Sequence, residues 1–254
     1  MNLSYLFDIL DVLFNSECDT IFDLFYTSCK IGDIVTVNIC LDYDLLDPSL
    51  HKNAAFYVAC EFGNVAIVDR LLLVLKDPFN NNKAINEAID RASEFGNVAV
   101  VDRLLQELSN REIYLDHAMD RTFGLACELG HIEVVERFLQ EPDNRPDPSA
   151  DTNFAICIAC EYGKIAVVDR LLQDKRVDPT DDDNDPIITS SCRGYTDIVY
   201  LLIQDARVDP SANNNWGIRA AEKNGHTDVV NLLLQDPRYK KFDEQHEHIT
   251  VSRL

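Results

Sequence analysis

The sequence predicts an all-α fold, a solenoid of about seven helix-turn-helix repeats. Three observations carry this. A seven-residue phrase recurs, clearest at Ala59-Cys60-Glu61-Phe62-Gly63-Asn64-Val65 and again at Ala159-Cys160-Glu161-Tyr162-Gly163-Lys164-Ile165. Aligned on its glycine, seven copies fall at Gly32, Gly63, Gly96, Gly130, Gly163, Gly194 and Gly225, in steps of 31, 33, 34, 33, 31 and 31 residues. A fixed period in this range marks a stack of small units rather than one globular core. From Gly63 on, each glycine is followed by apolar doublets four and five, then eight and nine residues later, as in Ile67-Val68 and Leu71-Leu72. That spacing lays one apolar stripe along a helix of period 3.6.

Residues 1–19 read as an N-terminal capping helix, with Leu3, Leu6, Phe7, Leu10, Leu13 and Phe14 on one side. A terminal unit must hide an otherwise naked apolar face. The repeat array spans 20–242. Its first copy is degenerate, keeping only Thr36-Val37 and Cys40-Leu41 at the second-helix offsets. In later copies a first helix carries Phe56, Ala59 and Cys60, or Ile156, Ala159 and Cys160, and ends at the glycine. Glycine there takes the left-handed conformation that closes a helix at little cost. Asn53, Asn86, Asp120, Asn153, Asn184 and Asn215 each lie ten residues before their glycine and read as a ladder of helix N-caps. The connection at 141–153 holds Pro142, Pro146 and Pro148 and is expected to be extended. Asp178-Pro179 and Asp209-Pro210 open shorter, regular connections, and residues 243–254 form a tail.

Two short helices per roughly 33 residues resemble the ankyrin repeat. Asp185-Pro186-Ile187-Ile188-Thr189-Ser190 is the copy most similar to its first-helix signature, and Gly225-His226-Thr227-Asp228-Val229-Val230 matches its second. Arg176-Val177-Asp178-Pro179 and Arg207-Val208-Asp209-Pro210 stand where familiar ankyrins have a glycine-containing connection. The variant looks like divergent ankyrin repeats of large DNA viruses and amoebae. The resemblance implies a non-catalytic scaffold or adaptor that binds a partner protein through its concave face and finger-like connections. If the source is viral, it implies a host-interaction factor in the host cytoplasm.

Composition narrows the partners. Lysine and arginine number 23 against 44 aspartates and glutamates, a net charge of −21. Such a chain is repelled by nucleic acid and by anionic membranes, and it favours a basic protein partner. An acidic decoy that occupies a basic nucleic-acid-binding protein is the alternative function. Solubility alone also explains the charge. The sequence has no apolar run of spanning length. A monomer is expected. Cys29, Cys60, Cys127 and Cys160 share one repeat position and read as small buried apolar residues in a reducing, cytoplasmic compartment.

No catalytic, cofactor or metal site is expected. Cys157-x-x-Cys160 lacks the further ligands that zinc requires, and a redox role would need an exposed, activated thiol. Asp181-Asp182-Asp183-Asn184-Asp185 lacks the spacing of a calcium loop and reads as a solvated finger tip. The candidate binding residues are Glu61, Glu94, Glu128 and Glu161, each two positions before its glycine, with Phe62, Phe95, Leu129 and Tyr162 beside them. By the resemblance this column faces the concave groove. Asp182, Asp183, Asn214 and Trp216 join it from the fingers. The acidic pattern breaks at Cys192-Arg193 and Lys223-Asn224.

Overall fold

A computed structural model describes residues 18–75, 82–110, 118–140 and 146–239. The capping helix expected over residues 3–14 and the tail at 243–254 lie outside the described residues. Among the described residues every regular element is helical: α1 (Cys18–Ile31), α2 (Ile34–Asp42), α3 (Leu50–Glu61), α4 (Val65–Val74), α5 (Asn82–Glu94), α6 (Val98–Asn110), α7 (Ala118–Leu129), α8 (Ile132–Leu139), α9 (Ala150–Glu161), α10 (Ile165–Leu172), α11 (Asp181–Arg193), α12 (Thr196–Gln204), α13 (Ala212–Asn224) and α14 (Thr227–Gln235). They form seven pairs, each centred on one of the seven glycines. The expected all-α repeat architecture is observed.

The chain divides into two compact units, Met1–Ala126 with Gln140–Arg145, and Cys127–Leu139 with Pro146–Leu254. In the first unit α1, α3 and α5 pack in file, and α2, α4 and α6 form a second file beside them. In the second unit α9, α11 and α13 make the first file, and α8, α10, α12 and α14 the other. The apolar doublets fill the space between files. Ile67, Val68, Leu71 and Leu72 are buried, as are Val100, Val101, Leu104 and Leu105, and Val167, Val168 and Leu171. Cys29, Cys60, Cys127 and Cys160 are fully buried at their shared position. Ser93 and Ser191 take that position in the third and sixth copies, and their hydroxyls find no partner.

At Gly32, Gly63 and Gly194 the turn after the first helix is finished by a side chain of the next repeat. All seven repeat glycines have φ between +70° and +84°. At Gly63 the amide of Asn64 donates to the Ala59 carbonyl at 2.9 Å, closing the helix end. The side chain of Asn97, one repeat on, then donates to the Cys60 and Glu61 carbonyls at 3.0 and 2.7 Å. Asn64 does the same to Cys29 and Lys30, at 2.7 and 3.0 Å. These amides satisfy carbonyls that a helix C-terminus leaves without intrahelical partners. A Cβ built on Gly63 would lie 2.7 Å from Asn97 Oδ1.

The asparagine column behaves differently from the expected N-cap ladder. His51-Lys52-Asn53, Asp151-Thr152-Asn153, Asp182-Asp183-Asn184 and Asn213-Asn214-Asn215 are four left-handed turns, with φ from +48° to +64° at every residue. Each follows an Asp-Pro-Ser/Thr step whose aspartate accepts from the Ser/Thr amide, at 2.9 Å for Ser49, Ser149 and Ser211 and 3.0 Å for Thr180. The amide of the closing asparagine bonds back to that Ser/Thr carbonyl at 3.0–3.2 Å. In the second unit the asparagine side chain reaches the next connection. Asn153 Oδ1 accepts from the Asp178 amide at 2.8 Å, Asn153 Nδ2 donates to Asp181 at 2.9 Å, and Asn184 Oδ1 accepts from the Asp209 amide at 2.9 Å. Asn86 and Asp120 lie inside α5 and α7. Asn153 and Asn184 therefore strut repeats together instead of capping helices, their side chains being committed to the next connection.

A third link joins second helices. In the first unit Arg70 donates to Asn38 at 2.9 Å and pairs with Asp42 at 2.5 Å, and Arg103 pairs with Asp69 and with Glu107. In the second unit Asp174-Lys175-Arg176, Asp205-Ala206-Arg207 and Asp236-Pro237-Arg238 each form an ion pair at 2.6–2.7 Å. Arg207 also donates to the Val177 carbonyl at 2.9 Å, and Arg238 to those of Asp205 and Val208 at 3.1 and 3.0 Å.

Two expected outcomes follow. Gly63→Ala meets both a positive φ and the Asn97 side chain, and should cost about 2–3 kcal/mol. Gly225 has the same φ but nothing near its built Cβ, so Gly225→Ala should cost roughly 1 kcal/mol. Equal losses in urea denaturation would refute the inter-repeat contact. The second outcome concerns acid. Hydrogen bonding to the paired arginine holds Asp174, Asp205 and Asp236 below the ordinary carboxylate range. The unfolded state then binds these protons more readily, so the contribution is complete above about pH 4 and is lost as pH falls further. The melting temperature of Asp205→Asn should lie below wild type at neutral pH and converge with it towards pH 2. A gap that persists would show that the pair does not act through its charge.

Candidate protein-binding surface

Each first helix buries one side between the files and leaves another uncovered. Counting back nine, five and one residues from the glycine gives the positions on that side. In α3 Ala54 and Phe62 are uncovered while Val58 between them is buried, and in α9 with its C-cap Phe154, Ile158 and Tyr162 are all at least partly exposed. The last position is apolar and exposed in five successive copies. Ile31 is 70% exposed, Phe62 47%, Phe95 48%, Leu129 39% and Tyr162 48%. In the first unit the Lys30 ammonium sits 5.0 Å from the Phe62 ring centroid, a cation–π contact.

Glu94 is exposed, and Glu61, Glu128 and Glu161 are half-buried. The second unit ties its two glutamates into local contacts. Glu161 accepts from Arg193 at 2.7 Å. The negative charges of Glu128 and Glu161 push the Tyr162 phenol above its usual range. Glu128, Glu161 and Tyr162 thus influence one another, and Arg193 pairs with Glu161.

At the finger tips Asp182, Asp183 and Asn214 are exposed within the left-handed turns. Trp216, directly after one such turn, is 51% exposed and lies under the Arg219 guanidinium at 5.4 Å. Phe154 holds the same position two repeats earlier and is 45% exposed. The residue list read from sequence omits Phe154 and Ile31. The signal for both was present: Ile31 directly precedes Gly32, and Phe154 directly follows the motif asparagine, as Trp216 does.

Cys157 and Cys160 are placed for packing. Burial pushes the Cys160 thiol up to about 12. Burial, reinforced by the charges of Asp185, Asp182 and Asp181, does the same to Cys157. Among the described residues no group of three His, Cys, Asp or Glu side chains could hold a metal ion. No described helix is long and apolar enough to cross a membrane.

A family model described as "Ankyrin repeats (3 copies)" matches residues 123–214 and 156–246. Among solved structures, the human ASB11 ankyrin repeat domain superposes with a TM-score of 0.56 at 15% identity, covering 76% of this chain and 95% of that one. No curated protein matches the sequence. The chain has the ankyrin-repeat fold, and residues 123–246 carry the family's sequence pattern directly.

Proposed function

We propose that this protein is a non-catalytic adaptor that recognises a partner protein through its uncovered first-helix positions and finger tips. The repeated exposed apolar position supports this reading most directly. Folding does not require a large apolar side chain there, since the sixth and seventh copies carry Arg193 and Asn224. Clustered exposed apolar side chains rimmed by polar ones mark interaction sites. Glu61 and Glu94 in the first unit, and Glu128 and Glu161 in the second, set an acidic residue beside that position, and a basic partner suits the net charge of −21. The protein works as a monomer in the cytoplasm. Reduced thiols fit that compartment: Cys29, Cys40, Cys60, Cys127, Cys157, Cys160 and Cys192 are free. A viral setting, with action on host proteins, rests on the sequence pattern alone. The acidic-decoy reading draws on net charge only, and steep weakening of partner binding by salt would favour it.

Affinity capture from native cells tests the adaptor reading. Wild type should retain a partner that the double variant Phe62→Ala/Phe95→Ala or Phe154→Ala/Tyr162→Ala loses by about tenfold or more. Identical captured proteins from all three baits, each verified as helical by circular dichroism, would sink it.

The non-catalytic reading has its own test. With its thiol held near 12, Cys157 is thiolate at roughly one part in ten thousand at pH 8. Iodoacetamide should modify it about a hundredfold or more slowly than free cysteine. A rate near that of free cysteine would revive the redox-pair reading.

A further inference from the structure

The charge of the second unit is sorted by face. The segments that form its connections and first helices, 147–162, 178–193 and 209–224, hold ten acidic residues and three basic ones. The glycine turns and second helices between them, 163–177, 194–208 and 225–239, hold six of each. Half of these second-helix charges are spent in the clamps Asp174–Arg176, Asp205–Arg207 and Asp236–Arg238. On the other face Asp151, Asp182 and Asp183 are exposed and form no ion pair among the described residues. Their left-handed backbone fixes where they stand.

Beside these carboxylates runs an apolar stripe. Phe154, Ile158 and Tyr162 lie four residues apart, on one side of α9 and its C-cap. Phe154 and Tyr162 are about half exposed, and Ile158 is half-buried. The equivalent stripe of α11 is polar throughout, Asp185, Thr189 and Arg193. The apolar strip is therefore bounded on that side, with Trp216 as an isolated aromatic one repeat further on.

We propose that this face of the second unit binds a lysine- or arginine-rich amphipathic segment of a partner protein. Its apolar side chains lie along Phe154, Ile158 and Tyr162, and its cations meet Asp151, Asp182 and Asp183. The inference rests on the adaptor reading and adds the partner's chemistry and the unit that holds it. A net negative face with a bounded apolar strip selects against acidic segments, because like charge across an interface is costly. It also disfavours purely cationic chains, which leave the strip uncovered.

Fluorescence anisotropy on the full-length chain tests this with two labelled synthetic peptides of equal charge. One combines lysine with leucines spaced three and four residues apart, and the other replaces leucine with serine. The leucine peptide should bind about tenfold or more tightly. Phe154→Ala/Tyr162→Ala should abolish that difference. Asp151→Asn/Asp182→Asn/Asp183→Asn should weaken the leucine peptide by about tenfold and flatten its salt dependence. These turns tolerate asparagine, since the seventh copy has Asn213-Asn214-Asn215 in the same conformation. Asp197→Asn on α12 should leave binding unchanged. Equal affinity for both peptides, or indifference to either set of variants, overturns the proposal. A captured partner that depends on Phe62 and Phe95 but ignores the second-unit variants overturns it too, while leaving the adaptor reading intact.

Discussion

The fold rests on helix-ending turns that, at Gly32, Gly63 and Gly194, a side chain of the following repeat completes. Each first helix ends at a glycine with positive φ, and its last carbonyls point out of the helix. The side chain that answers them sits just after the glycine of the following repeat. Asn64, Asn97 and His226 are three versions of it, reaching the carbonyls of Cys29, Cys60 and Cys192 respectively. That side chain lies where a Cβ on the preceding glycine would be. Glycine is thus demanded twice, by backbone conformation and by the neighbour's reach. The period of the sequence and the cohesion of the file have one cause.

With cohesion supplied by polar reach-over contacts and the buried doublets, the position directly before the glycine carries no structural duty. That explains how position minus one from the glycine can be isoleucine, phenylalanine, leucine, tyrosine, arginine or asparagine in successive copies without loss of the helix pair. The side chains there are set by something other than packing. The cysteine position shows the opposite regime. It is fully buried in every described copy from the first to the sixth, and it admits only Cys or Ser. Where it is serine, the hydroxyl goes unpaired, a cost that shape alone imposes.

Much of this was legible beforehand, and for identifiable reasons. Gly63 and the Ile67-Val68/Leu71-Leu72 doublets announced themselves because burial leaves few residue types open. The asparagine column was visible but misread. Asn153 and Asn184 belong to the small class of residues that suit both an N-cap and a left-handed turn, so residue type alone could not decide between them. The surrounding pattern could have. Asp-Pro-Ser/Thr followed four residues later by Asn recurs at 47, 147, 178 and 209, with the asparagine always six residues after the aspartate. An aspartate two residues before a Ser/Thr describes a turn. The acidic column was legible as composition only. That Glu161 is held by Arg193, while Asp182 and Asp183 stand free, depends on distances between repeats that no single-repeat pattern encodes.

The connection itself reaches positive φ without glycine. Here three consecutive residues do so in each of four turns, and nine of those twelve are Asn or Asp. Short polar side chains lower the steric cost of that region, and the Asx turn from the preceding aspartate helps hold the chain there. The third residue is fixed as asparagine, because in Asn153 and Asn184 its side chain also braces the next connection. The first two are not fixed: His51-Lys52, Asp151-Thr152, Asp182-Asp183 and Asn213-Asn214 share one conformation and little chemistry. A glycine connection offers no side chain at the tip. This one offers two, at fixed backbone geometry, so the same turn that joins the repeats also sets what charge each finger presents.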